Sequence, residues 1–263
     1  MKRIIITLTC IVALGFANAQ ERLFFTPPSC TSVTTDIQGN LYVTSGVSLH
    51  KFTADGDKRW NYSNPSYGDL SQVDAGIASK ILLFYRESSN ILLLNSELAP
   101  IGNPLNLLDK SMMTVSLAAM GNPDRIVLYD DANQELTITD LNLNVLSRTQ
   151  LTFPGEFHPT AMQVVPEHRI ALLDTLRGIC LFDFYGTFDR TIPIPGIMAM
   201  QLMKNQILYL KDRTLYQYTL PTETTPLDLQ PLNTGMPDMK TFHIRHHFLY
   251  YIDNQNVVWK SKI

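Results

Sequence analysis

The chain has 263 residues, of which 45% are hydrophobic and 17% charged. Its formal net charge is −3, from 21 Lys and Arg against 24 Asp and Glu. Nucleic-acid binding depends on clustered Lys and Arg, and no basic run here exceeds a triplet, so the composition argues against nucleic acids and anionic membrane surfaces as partners.

Residues 1–19 have the pattern of a cleavable signal peptide. Two basic residues precede an apolar stretch over 4–16, and Ala17-Asn18-Ala19 forms an A-x-A cleavage site. The apolar stretch is shorter than the roughly 20 residues that a membrane span needs. Cys10 lies in the middle of that stretch without a small residue before it, so we expect no lipid anchor. The pattern predicts a periplasmic or secreted protein without membrane insertion, and a single domain over 20–263.

Six apolar runs recur along the rest of the chain, which is the first sign of a repeat architecture. Their first residues lie 40, 45, 44, 37 and 41 positions apart. The runs are Leu41-Tyr42-Val43, Ile81 to Tyr85, Ile126 to Tyr129, Ile170 to Leu173, Ile207 to Leu210, and Phe248 to Ile252.

A period of about 40 residues, with β-branched and aromatic runs separated by turn residues, is typical of four-stranded propeller blades. No window after residue 20 has the 3.6-residue period of a helical solenoid. The predicted blades cover residues 31–61, 69–104, 113–151, 159–194, 197–231 and 239–263.

The sixth predicted blade has room for only three strands, near Lys240–Arg245, Phe248–Ile252 and Val257–Lys260. We expect Arg22-Leu23-Phe24-Phe25-Thr26 to supply the fourth strand, because closing the ring removes an open sheet edge. The predicted fold is therefore all-β: a monomeric six-bladed β-propeller of four-stranded blades, closed by the N-terminal strand.

Two predicted outer hairpins carry a family resemblance: Leu49 to Gly56, and Phe182-Asp183-Phe184-Tyr185-Gly186. With them the chain resembles the superfamily of six-bladed propellers built from NHL-like or quinoprotein-like blades, as an exported, bacterial-type member. That resemblance covers essentially the whole chain after residue 19. Because such propellers include lactonases, lyases, receptor modules and scaffolds, it implies a fold rather than one activity.

Two cysteines follow the signal peptide, and an exported protein can form disulfides. Cys30 falls at the start of the first predicted blade and Cys180 in the fourth, across the ring from each other. A disulfide needs Cα atoms within about 7 Å, so we predict two free, mostly buried thiols.

One column of the aligned inner strands is polar in five of the six blades and suggests a site at the channel mouth. It places Asp36, Asp74 and His243 on consecutive blades around the ring. An imidazole with two carboxylates could hold a divalent cation or share acid–base chemistry, so these three residues are the predicted metal ligands. The triplets centred on the column are Thr35-Asp36-Ile37, Val73-Asp74-Ala75, Ala118-Ala119-Met120, Met162-Gln163-Val164, Met200-Gln201-Leu202 and Phe242-His243-Ile244.

The alternative interpretation is that this polar column hydrogen-bonds backbone groups and water around a wet channel. It is favoured by Gln163 and Gln201, which stand where gluconolactonase-type propellers would place further carboxylates. The histidines at 246 and 247 predict a solvated turn rather than a zinc site.

The chain lacks the motifs of serine nucleophiles, zinc proteases and phosphate loops. Only two tryptophans are present, which argues against a quinone cofactor. Methionines near the inner strands are typical of core packing. A set of tyrosines at strand ends suits either packing between blades or recognition of proteins and glycans: Tyr62, Tyr67, Tyr185, Tyr216, Tyr218, Tyr250 and Tyr251. The sequence therefore favours an exported binding or scaffold module in the cell envelope without a cofactor. The alternative is a metal-dependent lactonase- or lyase-type hydrolytic enzyme with its site at the channel mouth.

Overall fold

A computed structural model describes residues 20–22, 29–152, 157–220, 228–233 and 238–262. These residues form six antiparallel sheets of four strands each, arranged as a six-bladed β-propeller, which confirms the predicted fold class. The described part of the chain has only short 3-10 helices, at Pro65–Tyr67 and Leu108–Lys110. None of its helices has the length and apolar character that a membrane crossing requires. The predicted signal peptide lies outside the described residues.

Each blade is built from strands that follow one another in the chain, from an inner strand at the channel to an outer strand at the rim. Blade 1 contains β2 (Cys30–Thr35), β3 (Leu41–Ser45), β4 (Ser48–Phe52) and β5 (Lys58–Ser63). Blade 2 contains β6 (Gln72–Asp74), β7 (Ile81–Tyr85), β8 (Asn90–Leu94) and β9 (Leu105–Asn106). Blade 3 contains β10 (Val115–Asn122), β11 (Arg125–Asp130), β12 (Glu135–Asp140) and β13 (Val145–Gln150).

The remaining blades repeat this order, and all predicted blade limits agree with the structure to within a few residues. Blade 4 contains β14 (Ala161–Val165), β15 (Arg169–Asp174), β16 (Gly178–Asp183) and β17 (Phe188–Ile192). Blade 5 contains β18 (Ala199–Leu202), β19 (Gln206–Lys211), β20 (Thr214–Thr219) and β21 (Asp228–Asn233). Blade 6 contains β22 (Met239–Arg245), β23 (Phe248–Asp253), β24 (Val258–Lys262) and, from the N-terminus, β1 (Gln20–Arg22).

The ring is closed by the N-terminal strand, as predicted, although at an earlier position. β1 pairs antiparallel with β24, with Gln20 opposite Ser261 and Arg22 opposite Trp259. The described strand ends at Arg22, and residues 23–26 of the predicted closing strand lie outside the described residues. Blade 6 thereby gains a fourth strand that its own part of the chain does not provide.

The core is divided among the six blade interfaces, each of which holds its own cluster of buried apolar residues. Between blades 3 and 4, for example, Val127 and Tyr129 pack with Leu172 and Cys180. Alternation along each strand produces this arrangement, because one face of a blade packs on the preceding blade and the other on the next. Each blade is therefore stabilised mainly by its neighbours.

Both cysteines are buried thiols that form no disulfide within the described residues, as predicted. Cys30 contributes to the cluster between blades 6 and 1, and Cys180 to the cluster between blades 3 and 4. Burial raises the pKa of Cys30 to about 11 and raises the pKa of Cys180 as well. Because the thiolate is the reactive form, both side chains act as small apolar core residues.

Several hairpins share one five-residue turn, in which the first side chain accepts hydrogen bonds from the backbone N–H groups of the third and fifth residues. The fourth residue of each turn has a positive φ, for example 87° at Gly39 and at Gly186. This is local turn chemistry that Asp and Asn favour. The turns begin at Asp36, Asn95, Asp140, Asp183 and Asp253.

Candidate functional site

The inner strands surround a central cavity of about 590 Å³, within the usual size range of small-molecule sites. Because strands within a blade alternate in direction, the turns that follow the inner strands all lie on one face of the ring. We call this face the inner-turn face. Asp74 at the end of β6, Lys204 after β18 and Arg245 at the end of β22 place their part of the cavity lining at this face.

Asp36, the first predicted metal ligand, is a buried turn residue rather than a channel ligand. Its carboxylate accepts hydrogen bonds from the backbone N–H of Gln38 at 3.0 Å and of Asn40 at 2.9 Å. The Asn40 side-chain amide and the Tyr42 hydroxyl also donate to it, at 2.8 and 3.0 Å. Lys51 Nζ lies 3.9 Å from the same carboxylate and donates to a backbone carbonyl of blade 2, which links blades 1 and 2.

Asp74 and His243 do line the cavity, and each is already hydrogen-bonded to a neighbouring blade. Asp74 accepts from the backbone N–H of Gly76 at 2.8 Å and from that of Met120 in blade 3 at 2.9 Å. Burial raises the pKa of Asp74 despite these bonds. His243 Nδ1 lies 2.9 Å from Thr35 Oγ1 in blade 1. Burial, with a smaller contribution from Arg245, lowers the pKa of His243 to about 3, so its ring is neutral at pH 7.

The three residues do not form one constellation. Within the described ranges, no group of three or more His, Cys, Asp or Glu side chains is arranged to hold a metal ion. Asp36 follows the inner strand and faces its own turn, whereas Asp74 and His243 belong to the strands themselves. The arrangement supports the alternative interpretation, in which the polar column serves the backbone.

Glutamines of the column brace the ring through paired hydrogen bonds to the next blade. Gln201 in blade 5 donates to the Ile244 carbonyl at 2.8 Å and accepts from the Ile244 N–H at 2.7 Å. Gln163 in blade 4 bonds in the same way to Met200 and Leu202 of blade 5, at 2.7 and 2.6 Å. An amide side chain has an NH2 group that donates and a carbonyl oxygen that accepts, and these match the free C=O and N–H of an inner strand.

Gln72 performs the same function over a longer reach. Its side chain accepts from the Ala118 N–H in blade 3 at 3.2 Å and donates to the Met162 carbonyl in blade 4 at 3.1 Å. It therefore passes over the inner strand of blade 3, which is the one blade whose column residue, Ala119, is apolar. Blades 2, 3 and 4 are tied together by this one residue.

The charge on the cavity lining is mainly positive, although the chain as a whole is acidic. Three described lining residues, Lys204, Lys240 and Arg245, are cationic, and Asp74 is the single carboxylate among them. Lys240 donates to the Asn256 side chain at 2.7 Å. Arg245 donates through Nε to the Asp36 carbonyl at 2.9 Å, which fixes the orientation of its guanidinium.

A second candidate surface lies on the rim of blades 3 and 4, where four large apolar side chains are exposed. We call Val145, Leu146, Tyr185 and Phe188 the rim patch; their exposed fractions are 40%, 54%, 68% and 45%. The Ser147 hydroxyl donates to the Tyr185 carbonyl at 3.4 Å, so the two blades meet at this point. Apolar groups that lie together on a surface commonly mark an interaction site.

Aromatic contacts support the blade 4 half of the rim patch. The rings of Phe182 and Phe188 meet edge to face with centroids 5.7 Å apart, and Phe184 contacts Tyr185 at the same distance. The guanidinium of Arg125 lies 5.5 Å from the Phe184 ring centroid. These contacts restrict the turn between β16 and β17 and hold Tyr185 in its exposed position.

Sequence reasoning did not single out Lys204, Arg245, Leu146 or Phe188. The aromatic strand ends gave one signal, since Tyr185 belongs to that set and is exposed, whereas Tyr250 is buried in the core. The methionines divide similarly, because most are buried or half-buried while Met113 and Met198 are exposed. His246 and His247 form the exposed turn that was predicted for them.

Comparison with known proteins shows that the fold is shared by proteins of very different sequence. The sequence matches no protein-family model and no curated protein. The WD40 domain of Neurospora crassa Pan2 superposes with a TM-score of 0.64 at 10% identity, over 89% of each chain. A streptogramin B lyase gives 0.61 at 12% identity, over 89% of this chain and 78% of the lyase. A chain of the mitotic checkpoint complex gives 0.61 at 12%, over 89% and 77%. At such identities the comparison shows the fold alone: this chain has the six-bladed β-propeller fold.

Proposed function

We propose that this protein is an exported binding module that docks a protein partner in the cell envelope through the rim patch. The observation that carries the proposal is the exposure of Val145, Leu146, Tyr185 and Phe188 on two adjoining blades. Aromatic side chains such as Tyr185 at the centre of an interface often contribute a large share of the binding free energy, and apolar neighbours exclude water around them. The aliphatic half of the patch favours a protein over a glycan.

The rest of the ring would serve as a rigid frame for the rim patch. Gln72, Gln163 and Gln201 join inner strands of different blades, and six apolar clusters fill the blade interfaces. Binding groups held on a rigid frame lose little conformational entropy when a partner docks. One structural neighbour was solved within a multiprotein assembly, and a role within an assembly is what we propose for this chain.

Export rests on the signal-peptide pattern of residues 1–19. Cleavage after Ala19 would leave the closing strand, which begins at Gln20, intact. We therefore expect the mature protein to start at Gln20 in the periplasm or outside the cell. Cell fractionation followed by N-terminal sequencing tests this part, and an intracellular protein that starts at Met1 would refute it.

The docking proposal is tested by affinity purification from the cells that produce the protein. We expect a partner recovered with the wild type to be lost with the double variant Leu146→Asp/Tyr185→Asp. Trp60→Asp is the matched control, because Trp60 is an apolar residue on the outer strand of blade 1 with 46% of its surface exposed. Equal recovery by the double variant and the control would refute the role of the rim patch.

A metal-dependent lactonase or lyase at the channel mouth is the second candidate function. It is favoured by the cavity of about 590 Å³ with Asp74 and His243 on its lining. The test is a melting curve with a chelator and with a panel of divalent ions, since binding to the folded state raises the melting temperature. A metal-dependent shift that is lost in Asp74→Asn and His243→Gln would support the enzyme, and no shift would refute the metal site.

A further inference from the structure

The cavity offers a positive charge that the fold itself does not neutralise. Arg245 makes one hydrogen bond to the described residues, through Nε, so its two Nη groups stay available to a ligand. Lys204 is exposed and has no hydrogen bond or ion pair with any residue in the described ranges. The opposing carboxylate, Asp74, is engaged by two backbone N–H groups. A charge on a concave, partly desolvated lining attracts counter-ions more strongly than the same charge on an open surface.

Arg245 and Lys204 both lie where the cavity opens on the inner-turn face. Arg245 ends β22, and Lys204 lies in the turn after β18 in the adjoining blade. The Gln201 pair to Ile244 holds these two inner strands side by side at that level. His243 is two residues before Arg245 and lies on the same side of β22, roughly 7 Å along the strand.

The orientation of Arg245 is preorganised for a planar anion. The Nε bond to the Asp36 carbonyl fixes the plane of the guanidinium before any ligand binds. Asp36 itself is held by its turn, so this acceptor cannot move away. A guanidinium binds a carboxylate through two parallel N–H···O bonds, which gives Arg a geometric preference for carboxylates over spherical anions.

The rest of the lining determines what the ligand carries besides its carboxylate. Ile37, Val165 and Met203 provide apolar walls at the same mouth, and Thr34 and Thr241 add hydroxyl groups further inside. The volume of about 590 Å³ suits a molecule of small-metabolite size. An apolar body with one carboxylate matches this combination.

We propose that the central cavity binds a small organic monocarboxylate, with its carboxylate on Arg245 and Lys204 and its apolar body against Ile37, Val165 and Met203. This site is separate from the rim patch, so either proposal can fail without the other. When the Thr35 hydroxyl donates to Nδ1 of the neutral His243 ring, Nε2 carries the proton and can donate to a ligand in the cavity.

Isothermal titration calorimetry with hexanoate and its neutral analogue hexanamide tests the charge requirement. We expect saturable binding of hexanoate with a dissociation constant of about 1 mM or lower, and binding of hexanamide at least about thirtyfold weaker. Inorganic phosphate, which lacks the apolar body, should also bind more weakly than hexanoate. Equal affinity for hexanoate and hexanamide, or no saturation by hexanoate at about 10 mM, would overturn the proposal.

Variants assign the binding to the named residues. Arg245→Gln should abolish hexanoate binding, and its melting temperature without ligand shows whether the fold is kept. Because Lys204 is exposed, Lys204→Gln should leave the fold unchanged, and it should weaken the affinity for hexanoate about two- to fivefold. Arg148→Gln, on the rim of blade 3, is the control and should bind hexanoate like the wild type. Undiminished binding in a folded Arg245→Gln or in Lys204→Gln would overturn the assignment.

Discussion

Replacement of Gln201 by Ala tests whether the inner amide side chains hold the blades together. The Gln201 side chain is 4% exposed and makes both of its hydrogen bonds to Ile244, at 2.8 and 2.7 Å. Its removal leaves one backbone N–H and one C=O of a buried strand without their partners. Each such group costs about 1–3 kcal/mol, so Gln201→Ala should lower the free energy of unfolding by about 2–6 kcal/mol. The lower value applies if water from the cavity replaces the amide.

Urea denaturation followed by circular dichroism measures this loss, and thermal melting provides a second readout. For a domain of this size, a loss of 2 kcal/mol lowers Tm by at least about 4 °C. Gln255→Ala is the matched control, because Gln255 is exposed in a turn of blade 6 and should change stability by less than about 0.5 kcal/mol. A loss for Gln201→Ala as small as that of the control would refute the bracing role.

Three further variants test other parts of the structure. Asp36→Ala should lower the free energy of unfolding by about 3–5 kcal/mol, because it removes four hydrogen bonds and the carboxylate beside the buried Lys51. Asp140→Ala, in the same kind of turn at the surface, should cost clearly less, and equal losses in urea denaturation would contradict the role of burial at Asp36. His243 has a pKa of about 3 in the folded state and about 6.5 in the unfolded state, so below pH 6.5 the unfolded state takes up a proton that the folded state does not. The free energy of unfolding is therefore unaffected by His243 above pH 6.5 and falls as the pH is lowered below it. Between pH 6.5 and 5 the wild type should therefore lose more stability than His243→Gln, by up to about 1.4 kcal/mol per pH unit, and parallel pH profiles would contradict this. Gly178→Ala should lower the free energy of unfolding by about 3 kcal/mol or more, because the new Cβ overlaps a backbone carbonyl of the neighbouring strand. In Gly102→Ala the new Cβ meets no atom within 4 Å, so this variant should lose only about 1 kcal/mol for its positive φ. Urea denaturation compares the two, and similar losses would contradict the predicted overlap.

The blades could be predicted from the sequence because their main determinant is local. Runs such as Ile126 to Tyr129 are buried on both faces between neighbouring blades, so they are apolar throughout and recur with the blade period. That Cys30 and Cys180 are buried and not joined by a disulfide followed from the same period, which places them on distant blades.

The turn position of Asp36 could also have been predicted from its spacing to Gly39, but the alignment of the inner strands assigned Asp36 to the polar column instead. Asp36-Ile37-Gln38-Gly39-Asn40 and Asp183-Phe184-Tyr185-Gly186-Thr187 share the same Asp and Gly spacing, and both are five-residue turns. Asp36 is therefore the first residue of a five-residue turn, in which its side chain accepts hydrogen bonds from the backbone. Its carboxylate is used by that turn and does not line the cavity, unlike Asp74 and His243.

The partners of Gln163 and Gln201 could not be predicted in the same way. Each amide bonds to a strand about 40 residues away, and the match depends on how closely two blades approach. The rim patch depends on three-dimensional context as well. Leu146 and Phe188 are ordinary strand residues in the sequence, and only the structure shows that both stay exposed, on two adjoining blades.

Site-specific photo-cross-linking from the rim patch tests the proposed function most directly. A photoreactive phenylalanine analogue would replace Tyr185 in one variant and Trp60 in another, and both variants would be irradiated in the cells that produce the protein. We predict one discrete adduct to another protein from position 185, lost when Leu146→Asp is added, and no such adduct from position 60. The same adducts from both positions, or an adduct at 185 that Leu146→Asp does not reduce, would contradict docking through the rim patch.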